Sequence, residues 1–142
     1  MIRILLASML PLALGSGALA ESEAFYAGLF CYGMDRQVAT SEGTIADCVS
    51  DTHAIEVDFT PKWAEAIGQS LHYAEQLQRR AGVILVCTNP GLCFAHTNRV
   101  RRIVEYNELN ITIWMCATDN ESLGECVRFN PDRTDTGTPP SS

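Results

Sequence analysis

The chain has 142 residues, 46% of them hydrophobic, and carries 17 Asp and Glu against 10 Lys and Arg, a formal net charge of −7. That length suffices for one domain with a real core and is short for two. The acidic balance excludes a protein that holds nucleic acid by bulk attraction alone, so a polyanion would need a local basic strip or a bound cation.

Residues 1–20 read as a targeting segment to be left out of the fold. Met1-Ile2-Arg3 gives a positive start, residues 4–14 an apolar run, and Ala18-Leu19-Ala20 a small-residue cleavage site. The run is too short to span a membrane, and no Cys follows it to take a lipid. Cleavage after Ala20 leaves a secreted or periplasmic chain starting at Glu21, with a charge of about −8 once Arg3 is gone. The six cysteines (Cys31, Cys48, Cys87, Cys93, Cys116, Cys126) all follow that point. An even number in an exported chain reads as disulfides, and the lack of a C-x-x-C pair disfavours a thioredoxin-like or zinc-ribbon site.

In residues 21–34, Phe25, Leu29, Phe30 and Tyr32 suggest a short helix with Cys31 near its end. Residues 36–40 read as a first strand, and Ser41-Glu42-Gly43 as a turn into a second strand from Thr44. Residues 54–59 alternate, with Ile55, Val57 and Phe59 on one side and Glu56 and Asp58 on the other. If residues 50–53 form the hairpin loop, Val49 faces Ala54, Cys48 faces Ile55, and Asp47 stands opposite Glu56. Three carboxylates then crowd one patch. Like charges opposed across a ladder destabilise it, and a divalent cation with oxygen ligands would offset that.

Pro61 suits a first helical position, with Thr60 as its cap. On the following helix Trp63, Ile67, Ala74 and Leu77 form the side expected to pack on the sheet. Lys62, Ala66, Gln69, Tyr73, Gln76 and Arg80 make a separate stripe, within roughly 40° of one direction. An apolar strand covers residues 83–87, and Asn89-Pro90-Gly91 reads as a turn. A second helix is expected from about residue 94 or 95 to 106, with Val100, Ile103 and Val104 inward. Residues 110–116 form the last core strand, and residues 126–129 a short addition. Residues 130–142 have little to bury and read as a disordered tail. His53, His72 and His96 are poorly spaced for zinc, and His53 reads as a loop residue. Trp63 and Trp114 read as core aromatics. Arg79, Arg80, Arg99, Arg101 and Arg102 are candidate phosphate contacts, against the commoner meaning of a solvated helix surface.

The elements make a single α/β domain over residues 21–129, a mixed sheet with a central hairpin flanked by helices. Asp47, then Glu56-Val57-Asp58, then Gln69-Ser70-Leu71-His72-Tyr73 resemble the PD-(D/E)xK nuclease superfamily, in its RecB-like branch with a Q-x-x-x-Y helix. The resemblance implies a restriction-endonuclease-like fold and metal-dependent hydrolysis of nucleic-acid phosphodiesters. It makes Asp47 and Glu56 ligands of Mg²⁺ or Mn²⁺, with Gln69 and Tyr73 supporting the site or touching the nucleic-acid backbone. The signature Lys is replaced by Asp58. Asp58 then becomes a third metal ligand, or Lys62 supplies the ammonium from the helix start. The rival expectation is a domain of the same fold that cleaves nothing and serves as a binding module.

The cysteines allow one pairing to be argued. Cys48 alternates with Asp47 and so points away from the acids, toward the first helix that carries Cys31. A Cys31–Cys48 bridge closes a loop of only 17 residues, worth about 3 kcal/mol by loop entropy. The other four cysteines leave three arrangements open.

Overall fold

The computed structural model describes residues 21–129, so the expected leader at 1–20 and tail at 130–142 lie outside the described residues. The element order is α1 (Glu23–Phe30), β1 (Asp35–Ala39), β2 (Ile45–Val49), β3 (His53–Phe59), a 3-10 turn (Thr60–Lys62), α2 (Trp63–Leu77), β4 (Arg80–Cys87), α3 (Pro90–Tyr106), β5 (Ile111–Ala117), a second 3-10 turn (Leu123–Glu125) and β6 (Val127–Phe129). The six strands form one mixed sheet in sequence order. A β1–β2–β3 meander is antiparallel, β3, β4 and β5 run parallel, and β6 returns antiparallel to β5. The expected single-domain α/β plan holds.

Each parallel pair needs a crossover, and α2 and α3 supply the two. Their inward residues Ala66, Ile67, Val100 and Val104 pack with Ala81, Val83, Leu85, Ile111 and Ile113 on one face. On the other, Tyr26, Ala27 and Phe30 of α1 meet Ile55, Val57, Ile84, Val86 and Trp114. Both faces of β4 are therefore covered, which explains its nearly unbroken apolar run. Gly82 lets this layer close: a Cβ there would stand 3.0 Å from both Ile55 Cγ1 and Trp114 Cζ3.

Three disulfides tie the layers together. Cys31 joins Cys48 with Cα atoms 6.0 Å apart, as expected, fastening α1 to β2. Cys87 joins Cys93 across the β4–α3 connection, and Cys116 joins Cys126 beside β6. No helix among the described residues is long and apolar enough to cross a membrane.

Several local expectations are corrected. Asn89-Pro90-Gly91 starts α3: the Asn89 side chain accepts the Gly91 N–H, and Pro90 takes the first helical turn. Pro61 sits in the 3-10 turn, where Thr60 makes no side-chain cap. Helix α2 stops at Leu77, because Gln78 adopts the left-handed conformation (φ 52°) and caps it. Arg80 therefore lies in β4 and leaves the helical stripe. The stripe is distinct from the apolar side in the pattern, yet Ala66 and Tyr73 are buried beside Ile67 and Ser70. The helix lies over β3 and β4 and buries a wider arc than the apolar pattern marks. Trp63 is only partly buried. In α1 Tyr26 joins Phe30 as an inward aromatic, while Phe25, and Tyr32 just past the helix, are exposed. His53 is no loop residue: it opens β3 and is buried, its Nε2 2.9 Å from Thr112 Oγ1.

Candidate active site

The hairpin register is as expected for Cys48 opposite Ile55 and Val49 opposite Ala54, and there the β2–β3 pairing ends. Asp47 does not become the ladder partner of Glu56. Its Oδ2 accepts the Val57 N–H at 2.9 Å, in place of a β2 carbonyl. Gln37, across from Asp47 on β1, has φ 53° and donates its side-chain amide to Asp47 Oδ1 at 3.2 Å. This kink in β1 and β2 turns the Asp47 carboxylate toward β3.

Glu56 and Asp58 project from β3 on the side of α2, 8% and 3% exposed. The Glu56 carboxyl interacts with that of Asp47. Burial first, then the charges of Asp47, Asp58 and Glu23, push the Glu56 carboxyl up to about 8. At neutral pH it keeps its proton. Burial also raises Asp58, to about 6; the Phe59 N–H opposes this, Glu23 adds to it, and Lys62 opposes it. Asp58 Oδ1 accepts that N–H at 2.8 Å.

Lys62 reaches back from the 3-10 turn to lie 3.5 Å from Asp58 Oδ1. It is held more closely by Glu23, at 2.7 Å. That hydrogen bond, then the Asp58 charge, raises the ammonium above its ordinary range. Glu23 is a site residue that the motifs do not mark. It enters because Ser22 caps α1 and starts the helix one residue ahead of it. An acid in a first helical turn is so common that it carries no signal in the chain.

From α2, Tyr73 stands behind the carboxyls. Burial chiefly, and then the charges of Glu56 and Asp47, raise its phenol, against a hydrogen bond from Gln69. At 5% exposure, packed with Ala46 and Ala54, it is placed to support the acids and is closed to a polymer backbone. Gln69 Oε1 is buried with no hydrogen-bond partner. The cluster thus brings together Asp47, Glu56, Asp58, Lys62, Gln69 and Tyr73, with Glu23 added.

Among the described residues, no group of three His, Cys, Asp or Glu is laid out as a coordination sphere. The donors are nonetheless all hard oxygens, and the orphaned Gln69 oxygen adds another, which suits Mg²⁺ or Mn²⁺ by type. A cleft of about 720 Å³ opens at the opposite end of β3 and β4, beside Asp51, Glu75, Arg79 and Arg80, and includes none of these acids. Arg79 there bonds the backbone carbonyls of Ser50 and Gln78.

Compared with family models, curated proteins and solved structures, the chain matches none.

Proposed function

We propose that the chain is an exported, metal-dependent nuclease-like domain that hydrolyses phosphodiester bonds of nucleic acid, with the restriction-endonuclease-like fold of the PD-(D/E)xK superfamily. The observation that carries this reading is the convergence of Asp47, Glu56 and Asp58 with one ammonium, Lys62, at the strand–helix junction. The mixed sheet with helices on both faces, and a hairpin that leads into the helix of Gln69 and Tyr73, supports the same reading. The three disulfides fit an extracytoplasmic life.

Asp47, Glu56 and Asp58 would hold the cation, which when bound polarises a phosphoryl oxygen and makes a water more acidic. Glu56 must lose its proton to serve, so cation affinity rises with pH through about 8. Lys62 stays charged and is placed to offset negative charge developing on the phosphoryl group. Glu23 orients Lys62, and Tyr73 excludes water behind the acids.

The inactive binding module remains the second reading, favoured by the Glu23 and Asp58 contacts that already neutralise Lys62. The separating experiment is a nicking assay on supercoiled DNA and on RNA with Mg²⁺ or Mn²⁺. Cleavage stopped by EDTA, by Asp47→Asn and by Glu56→Gln supports the enzyme. No cleavage by the wild type, or cleavage that persists in both variants, removes it.

A further inference from the structure

Helix α3 turns Cys93, Val100 and Val104 inward. Its opposite face carries Phe94, Asn98, Arg99, Arg101, Arg102 and Tyr106 within roughly 160° of the helix circumference. This face differs in charge from the rest of the molecule: α3 has three arginines and a single acid, Glu105, in a chain of net charge −7. Arg101 is engaged with Glu105 at 3.5 Å. Arg102 has no ion-pair partner among the described residues. The Arg99 guanidinium lies 6.0 Å from the Trp63 ring centroid. Such stacking holds the plane of a guanidinium while leaving its N–H edges open for phosphate oxygens.

Two aromatic rings bracket these arginines, Phe94 at 76% exposure and Tyr106 at 88%. They stand about 18 Å apart along the helix. Leaving two large rings in water is unfavourable, and guanidinium groups between exposed rings are the combination that binds single strands: charge for the backbone, ring faces for unpaired bases. Helix α3 meets the strand–helix junction through its inward side, where Thr60 Oγ1 lies 3.8 Å from Cys93 Sγ, and through Arg99 beside Trp63.

We infer that this face of α3 binds single-stranded nucleic acid, with Arg99 and Arg102 on phosphates and Phe94 and Tyr106 stacked on bases. The inference rests on the nucleic-acid reading above and adds the form of substrate and where it lies. Arg79 and Arg80, at the far end of the sheet, take no part.

The test is fluorescence anisotropy with a labelled DNA strand of about 20 nucleotides and with its duplex, in EDTA so that nothing is cleaved. The wild type should bind the single strand more tightly than the duplex. Arg99→Ala/Arg102→Ala should weaken binding about tenfold and reduce the log–log salt slope by about 1.4, for two lost phosphate contacts. Phe94→Ala/Tyr106→Ala should weaken it by about thirtyfold or more with the slope unchanged. Wild-type affinity in either double variant, or a duplex bound as tightly as the single strand, would overturn the inference. Cleavage is scored separately. Nicking by a wild type whose α3 variants bind normally leaves the nuclease reading standing and removes this one, and the expected binding pattern without nicking does the reverse.

Discussion

Asp47 Oδ2 accepts the backbone N–H of Val57 at 2.9 Å, so one carboxylate both belongs to the acidic cluster and completes the β2–β3 contact. The site and the sheet therefore share a hydrogen bond. Asp47→Ala would leave a buried N–H unpaired, a cost of about 1–3 kcal/mol. Asp47→Asn keeps an oxygen for that N–H and should cost less. Urea unfolding at pH 5, where Glu56 is protonated in the wild type, gives the comparison; equal stability of the two variants would contradict this role for Asp47.

The Glu56 carboxyl predicts an unusual pH dependence. Its folded value, about 8, lies above its ordinary value of 4.5, so the folded state binds the extra proton and stability falls as pH rises between the two. Burial, then Arg80 and Arg128, lower His53 to about 4, which works the other way, stability rising between about 4 and 6.5. Asp58, raised to about 6, adds to the Glu56 effect up to that pH and His53 opposes both up to about 6.5; from there to 8 the Glu56 effect dominates. Over that interval the wild type should lose at most about 2 kcal/mol, and Glu56→Gln almost none. Thermal melts at pH 6.5 and 8 without metal decide it: parallel losses in both proteins would mean that Glu56 titrates normally.

What the chain made legible, and what it hid, divides by the range of the interactions. Gly82 and the apolar residues 83–87 mark β4, and the short β2–β3 hairpin sets Cys48 opposite Ile55. The Cys31–Cys48 bridge follows from that register, since it puts Cys48 on the α1 face. The hidden features depend on contacts far apart in sequence. Glu23 meets Lys62 across 39 residues, and His53 is buried by its contact with Thr112, 59 residues on. Asp47 leaves the ladder and contacts Gln37, whose positive φ a non-glycine residue does not announce. The extra turn at the start of α3 shows a different ambiguity: Asn-Pro-Gly serves a turn and a helix N-terminus equally well.

The Cys31–Cys48 bridge holds the helix that carries Glu23. Replacing both cysteines by Ala should cost about 3 kcal/mol and raise hydrogen exchange in α1 more than in β4. Equal exchange throughout α1 with and without the bridge would show that packing of Tyr26 and Phe30 alone holds the helix.

Gly82→Ala should destabilise, although Ala normally outranks Gly inside a strand. The new methyl would meet Ile55 Cγ1 and Trp114 Cζ3 at 3.0 Å, and both belong to packed core side chains. A loss of about 1–3 kcal/mol is expected, read as a lower melting temperature. An unchanged or higher melting temperature would mean that the core has room at this point.

The most direct test of the central claim is calorimetric titration of Mn²⁺ into the wild type and Glu56→Gln at pH 7, in buffers of different ionisation enthalpy. With Glu56 protonated at that pH, binding to the wild type should release close to one proton per ion. Glu56→Gln should bind far more weakly and release none. Binding without proton release, equal binding by the variant, or no binding by the wild type at millimolar Mn²⁺ would contradict the claim that Asp47, Glu56 and Asp58 form a metal site.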